Sequence, residues 1–323
     1  MQSLLATLLE RRSLSEAEAR RAFHMILTGG ANESQVGAML ALIAARGPTL
    51  DEIVGGALEL RSQVTRLPIA EGSRVRETLI DTCGTGGTAK TFNISTVSAI
   101  VAAAARGKGG RRAYVAKHGG RSRSGRGSAE VLSLLGVNID ASPAVQARCL
   151  EEAGVCFSFA VNHHPAMRFA AGPRKSLGFP TIFNLLGPLC NPAGAARQVI
   201  GVYEERYVRL VAEALLRLGA KRAMVVHGLD GMDEISIGAP TLVAHVDGER
   251  VRTERLDPLS LGIDRGPLAG LTCATLEDAA AAIRGVLAGE KGPKRDITLL
   301  NSAAALLVAG VADAFEPALG LAE

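Results

Sequence analysis

Among the 323 residues only five are cysteines, Cys83, Cys149, Cys156, Cys190 and Cys273, and no two form a Cys-x-x-Cys pair. That spacing excludes a zinc ribbon, the odd number excludes a complete disulfide framework, and a reducing cytoplasm is the expected compartment. Long apolar runs are also missing. The longest, such as Val97 to Ala105 and Ala303 to Ala312, reach about ten residues, roughly half of what a bilayer-spanning helix needs, so no membrane partner is expected. Leu4, Leu5, Leu8 and Leu9 come before any basic residue, and Glu10 precedes Arg11 and Arg12. This is not the order of a secretory signal. Charge of one sign is scarce too: 36 Lys plus Arg against 32 Asp plus Glu leaves +4, too mild for a chain coated in nucleic acid. Any anion site must therefore be local.

What is present is globular. Hydrophobic residues make up 47% and charged residues 21%, while glycine, at 37 of 323, is more frequent than usual, which implies many turns or close backbone approaches. The length gives a prior of about two domains or one large one. The first sixty or so residues carry apolar positions at helical spacing. Ser15 with Glu18 and Thr49 with Glu52 fit the capping box, and Asn32 with Gln35 is a looser version. Gly29-Gly30 and Gly47-Pro48 supply stops, which predicts four helices in a separate lobe, with a crossing near residues 66–73. From Thr78 short apolar runs alternate with helical stretches, the signature of an α/β sheet. Strands are predicted at Leu79-Ile80, Ala113 to Ala116, Val155 to Phe159, Val199 to Tyr203, Ala223 to Val226 and Leu242 to Val246. Helices are predicted at Ser95 to Ala105, Ser128 to Leu135, Pro143 to Ala153, Arg206 to Leu218, Leu276 to Leu287 and Ile297 to Ala309.

Three loops carry the chemistry. Asp81-Thr-Cys-Gly-Thr-Gly-Gly-Thr-Ala-Lys-Thr-Phe-Asn-Ile-Ser-Thr96 joins a strand to a helix through Gly84, Gly86 and Gly87. Glycines let backbone N–H groups converge, and a helix N-terminus adds partial positive charge, a combination that favours phosphate. Thr85, Thr88, Thr91, Asn93, Ser95 and Thr96 add polar side chains. The plain alternative is a tight turn capped by Asn93 or Ser95. The segment is neither a Walker loop nor a dinucleotide fingerprint. Lys117-His-Gly-Gly-Arg-Ser-Arg-Ser-Gly-Arg-Gly-Ser128 is a second glycine-rich loop between strand and helix. Eight cations with no acid among them run from Arg106 to Arg126, a field suited to a diphosphate or a nucleic-acid backbone. A solvated basic face is the ordinary reading of such a run, and a lone His118 is more often structural than catalytic. The third loop, Val226-His-Gly-Leu-Asp-Gly-Met-Asp-Glu-Ile235, places carboxylates after a strand, which beside a phosphate site suits Mg²⁺. His163-His164 is not read as a zinc pair, because sequence neighbours rarely face one ion.

Taken in order, Gly84-Thr-Gly-Gly87, Phe92-Asn-Ile-Ser-Thr96, Lys117-His-Gly119, His164-Pro-Ala-Met-Arg168, Thr181-Ile-Phe-Asn-Leu-Leu-Gly-Pro-Leu189, Asn191-Pro-Ala193 and Asp233-Glu234 resemble the anthranilate phosphoribosyltransferase family of tryptophan biosynthesis. The resemblance runs from about Leu4 to the C-terminus. It implies an α/β fold like that of class III nucleoside phosphorylases, with a small N-terminal helical lobe and a larger α/β lobe whose central sheet is flanked by helices. The lobes would be residues 1–68, with part of 160–180 as a possible addition, and 69–323. Dimerisation would run through the helical lobe. The implied reaction transfers phosphoribose from phosphoribosyl pyrophosphate to the amine of anthranilate, with Mg²⁺ on the leaving pyrophosphate.

Carried over by position, the resemblance assigns Gly84, Gly87, Thr88, Thr91, Asn93, Ser95, Thr96, Lys117 and Ser128 to phosphoribosyl pyrophosphate. It assigns Gly84, His118, Gly120 and Arg174 to anthranilate, and Ser95, Asp233 and Glu234 to magnesium. Thr88 stands where relatives usually carry Asp, Gly120 where they carry Asn, and the chain stops at Glu323 where relatives continue into one more helix. Two other readings stand beside this one: a non-catalytic relative binding nucleic acid through residues 106–126, and a nucleoside phosphorylase sharing the fold.

Overall fold

The computed structural model describes residues 1–86, 91–122 and 125–323. It opens with α1 (Gln2–Leu9), α2 (Glu16–Leu27), α3 (Glu33–Arg46) and α4 (Leu50–Ser62). The last three start where the sequence says they should. At Ser15, Asn32 and Thr49 the side chain accepts from the N–H three residues on, while Glu18, Gln35 or Glu52 reaches back to the cap N–H. Glu52 does more than cap. Fully buried, it also accepts from the Leu14 N–H at 3.0 Å and from Arg46 Nη2 at 2.6 Å, tying the chain before α2 to the end of α3. An irregular crossing and the one-turn α5 (Arg74–Glu77), capped by Ser73, lead into the sheet.

The α/β part runs β1 (Leu79–Gly84), α6 (Ile94–Ala104), β2 (Tyr114–Gly119), α7 (Ser128–Leu134), α8 (Pro143–Glu152), β3 (Val155–Phe159), α9 (Ala160–His163), α10 (Arg168–Leu177), α11 (Ile182–Leu186), β4 (Arg197–Gly201), α12 (Tyr207–Arg217), β5 (Arg222–Gly228), β6 (Thr241–Val246), β7 (Val251–Leu256), α13 (Leu276–Leu287), α14 (Pro293–Ala309) and α15 (Phe315–Ala322). The seven strands form one sheet in the order β3-β2-β1-β4-β5-β6-β7. The first five pair in parallel, β6 pairs antiparallel with β5, and β7 pairs antiparallel with β6. The fold is α/β with a helical N-terminal bundle, as expected. Its parallel strands are buried on both faces and so read as short continuous apolar runs. β7 is the strand missing from the sequence reading. Val-Arg-Thr-Glu-Arg-Leu is largely exposed, and a charged edge strand carries no apolar signal while it blunts edge-to-edge pairing.

Among the helices, α10 and α11 went unpredicted, as did α15 and the one-turn α5 and α9. Pro165 and Pro173 read locally as breakers, yet Pro173 lies inside α10. Tertiary contact overrides the propensity: α10 packs on α2 and α3, with Phe169 against Gly29 and Glu33 against Gly172. Below it, Phe23 of α2 meets Phe183 of α11 edge to face, ring centroids 5.4 Å apart. Among the described residues no helix is long and apolar enough to cross a membrane.

The α2/α4 contact depends on Gly55, where a Cβ would lie 2.4 Å from the Glu16 carbonyl oxygen and 2.9 Å from the Arg20 nitrogen. Gly55→Ala gains up to about 1 kcal/mol of helix propensity. It must also force two backbones apart, a cost of about 1–3 kcal/mol. We expect a net loss of stability, read as a lower urea midpoint; an unchanged or raised midpoint would show that α2 can slide freely.

Candidate active site

β1 lies between β2 and β4, so successive connections leave it in opposite directions. In a parallel sheet such a switch point opens a crevice at the carboxyl ends of the strands. Gly84 and Gly201, register partners at the ends of β1 and β4, form its floor. A Cβ on Gly84 would sit 2.7 Å from Asp233 Oδ2, and one on Gly201 only 1.5 Å from the Asp233 carbonyl oxygen. Bare backbone at both ends is therefore what lets the loop after β5 cross the crevice. The Gly86 N–H donates to Asp233 Oδ2 at 3.2 Å. The loop is braced from behind: Asn301 of α14 accepts from the Ile235 N–H and donates to its carbonyl, and Ser236 Oγ donates to Asp230 Oδ2 at 2.6 Å. Asp230 is thus a loop brace, and Asp233 and Glu234 are the pair presented to the crevice. Burial first, then the adjacent Asp233 charge, raise the Glu234 carboxyl well above the usual range. A cation would relieve that repulsion.

Lys117, near the end of β2, is buried. Its Nζ donates to the Thr82 carbonyl at 2.7 Å and to Ser95 Oγ at 3.1 Å, fixing the first turn of α6 against β1. Burial lowers its pKa, while Asp81, Cys83, Glu234 and Asp233 pull it back up. Thr96 Oγ1 donates to Ser128 Oγ at 3.2 Å, joining the N-termini of α6 and α7. Asn93 caps α6 by position, but its Nδ2 donates to the Arg126 carbonyl at 3.1 Å. Its Oδ1 is buried without a partner among the described residues. Thr91 bridges Thr272. Gly87 and Thr88 lie outside the described residues.

His118 follows Lys117, and its N–H donates to Asp81 Oδ1 at 3.0 Å. Its Nε2 stands 3.2 Å from His164 Nε2. One ring must donate and the other accept, so at least one is neutral. Burial, then the His164 and His163 charges, push His118 well below the ordinary histidine value, and burial brings His164 to about 4. His163 turns away to the Thr65 carbonyl and Gln146. Gly120 is open: among the described residues a Cβ there would meet only Ala160 Cβ, at 3.9 Å. Arg174 lies on α10, its guanidinium 5.3 Å from the Phe183 ring centroid. The sequence reading named neither Asp81, His164 nor Gly201 as site residues. Asp81 had a usable signal, a carboxylate inside an apolar strand; Gly201 acquires its role only through its partner strand and Asp233.

The family model described as "Glycosyl transferase family, helical bundle domain" matches residues 2–64, and "Glycosyl transferase family, a/b domain" matches residues 76–323. Anthranilate phosphoribosyltransferase of Thioalkalivibrio sulfidiphilus is 48% identical over 97% of this chain and 90% of its own length. That of Moorella thermoacetica is 46% identical over 96% and 89%. The chain belongs to the anthranilate phosphoribosyltransferase family. The crystal structure of the Thermus thermophilus enzyme superposes with a TM-score of 0.88 at 38% identity, over 99% of this chain and 93% of that one. The Saccharomyces cerevisiae enzyme, in complex with PRPP and Mg, shares the fold, with a TM-score of 0.87 at 24% identity over 100% and 92%.

Membership in the anthranilate phosphoribosyltransferase family gives no support to the nucleic-acid alternative, and the geometry of the basic stretch explains why the charge run misled. Among the described residues its cations do not form one field, and Arg123 lies outside them. Arg106 and Arg112 cap carbonyls at the end of α6, before β2 begins, whereas Lys117 and Arg126 lie at or beyond its other end, with Arg126 bonded to the Cys273 carbonyl. The five residues of largely extended chain from Arg112 to Lys117 span about 17 Å, and Arg126 lies farther still.

A histidine held neutral by burial binds a proton more readily when unfolded, so its stabilisation is complete above the unfolded pKa and declines as pH falls below it. For His164 the window is pH 6.5 down to about 4. Between pH 7 and pH 5 this one residue should cost about 2 kcal/mol. Urea unfolding should show His164→Asn losing about that much less stability than the parent over the interval; an identical pH dependence would show that His164 does not titrate with folding.

Proposed function

We propose that this chain transfers the 5-phosphoribosyl group of phosphoribosyl pyrophosphate to the amine of anthranilate, releasing pyrophosphate, in tryptophan biosynthesis. The observation that carries the reading is the seating of Asp233 on Gly84, Gly86 and Gly201 at the sheet's switch point, electrostatically coupled to buried Lys117. The family relationship supplies the substrates. Gly84, Gly87, Thr88, Thr91, Asn93, Ser95, Thr96, Lys117 and Ser128 are the proposed phosphoribosyl pyrophosphate residues. Two of Lys117's three N–H donors are used internally, which leaves one for a phosphate. Asn93 Oδ1, without a partner among the described residues, is an acceptor and suits a ribose hydroxyl. Gly84, His118, Gly120 and Arg174 are the proposed anthranilate residues, with the Arg174 guanidinium pairing the carboxylate.

In the reaction the ribose C1–oxygen bond to pyrophosphate breaks, the N–C1 bond forms, and the nitrogen loses a proton. An arylamine is unprotonated at neutral pH, so its lone pair is available and no strong general base is demanded. The barrier lies in expelling pyrophosphate, and fixed donors aimed at the developing charge lower it. Asp233, Glu234 and the Ser95 hydroxyl offer hard oxygen donors and fit Mg²⁺, which when bound supplies charge neutralisation at the leaving group. Lys117 and the α6 and α7 N-termini stabilise the same charge from the protein side. His118, held neutral by burial with its Nε2 against His164, packs beside the amine and adds no charge.

We also read residues 1–68, with α10, as a lobe that pairs two copies of the chain, and 69–323 as the lobe that binds phosphoribosyl pyrophosphate. Packing of α10 on α2 and α3 and the exposed Leu9 at the end of α1 support this. Cytoplasmic residence accords with five free cysteines.

The test is loss of anthranilate fluorescence on mixing with phosphoribosyl pyrophosphate, with and without Mg²⁺. Magnesium-dependent loss is expected. In Arg174→Ala the KM for anthranilate should rise about 10- to 100-fold, the worth of a charged hydrogen bond, with the KM for phosphoribosyl pyrophosphate little changed. Folded protein without turnover, or an equal rise in both constants, would contradict the reading.

A further inference from the structure

Away from Asp233, at the amino ends of the same strands, a cavity of about 200 Å³ lies between α4 and the segments entering β4 and β5. Its walls include Arg61, Arg66, Leu189, Asn191, Gln198 and Leu218. Arg61 is half-buried in the last turn of α4. Its Nε donates to the Leu189 carbonyl at 2.7 Å and its Nη1 to the Leu218 carbonyl at 3.1 Å. A guanidinium has five N–H donors, so three are left over. Arg66 is exposed and lies close enough for its charge, after burial, to lower the pKa of Arg61. Among the described residues no carboxylate pairs with either guanidinium.

The neutral amides nearby are already engaged. Asn191 Nδ2 donates to the Ala116 carbonyl at 2.8 Å and its Oδ1 accepts from the Ala193 N–H, while Gln198 Nε2 donates to the Pro188 carbonyl at 2.7 Å. What remains for a guest is two like charges facing one hollow. Such a pair repels when the hollow is empty and is satisfied by an anion between the two, which a planar guanidinium fork is shaped to receive. We propose that this cavity is a second anion site, separate from the substrate crevice, that takes one small carboxylate or phosphate group.

Equilibrium dialysis of radiolabelled inorganic phosphate tests this, using the full chain with its substrate crevice filled by phosphoribosyl pyrophosphate and Mg²⁺ in the absence of anthranilate. Saturable binding of one phosphate per chain is expected. Arg66→Glu, at an exposed residue, should weaken it at least about tenfold without altering turnover, and Arg61→Lys should weaken it as well. Competition by succinate would assign the site to carboxylates, and lack of competition to phosphates. Absence of saturable binding, or equal binding by Arg66→Glu, would overturn the proposal. Should the chain not take phosphoribosyl pyrophosphate at all, the unfilled crevice would add a phosphate that Arg66→Glu leaves in place, so the two failures read differently.

Discussion

The crossing of the loop after β5 over the ends of β1 and β4 is the contact on which the rest of the site depends. Neither Gly84 nor Gly201 can carry a side chain there, because both places are taken by Asp233. The constraint is steric before it is electrostatic. Once the backbone of Asp233 rests on Gly201, its carboxylate is aimed back at the Gly86 N–H, and Glu234 is held beside it in a repulsive pair. Asn301, reaching in from α14, keeps the loop from lifting away. A residue of the C-terminal half thus fixes a carboxylate against a turn that begins at residue 84.

A buried polar layer beneath that contact transmits order from strand to strand. Lys117 links β2 to the β1 backbone and to Ser95, Asp81 receives the His118 N–H, and Asn191 donates to Ala116. The Lys117 charge is offset by its hydrogen bonds, as burial in low dielectric requires, while Asp81, whose Oδ2 has no hydrogen-bond partner among the described residues, has its carboxyl raised by burial. The same layer holds the His118–His164 pair, through which the end of β2 meets the segment leading into α10 and Arg174. The proposed phosphoribosyl and anthranilate regions are therefore two faces of one hydrogen-bonded layer.

Much of this was legible because much of it is local. Ser15, Asn32 and Thr49 announce their helices within four residues, and the parallel strands announce themselves by apolar runs bounded by glycine. The motif at 84–96, the Lys117 loop and the Asp233-Glu234 pair are likewise contiguous, so their chemistry could be read before their meeting was seen. The rest is nonlocal. Gly201 is inconspicuous until β1 pairs with β4 and brings Asp233 onto it. α10 is hidden by Pro165 and Pro173, and only its docking on α2 and α3 makes a helix of it. β7 is hidden by its exposure, and the run of cations from 106 to 126 looked like one surface, although a strand was expected at Ala113 to Ala116, because a count of charge along the chain takes no account of the length that an extended strand puts between them.

The central claim is that bare backbone at residue 201 sets the position of the acidic pair, and the most direct measurement is the magnesium dependence of turnover in Gly201→Ala, with folding checked by circular dichroism. The added methyl must displace Asp233, and a shift of about 1 Å at such a site can cost on the order of 100-fold in rate. The account predicts a loss of that order in magnesium-saturated turnover from a folded protein. Turnover and magnesium dependence indistinguishable from the parent would contradict it.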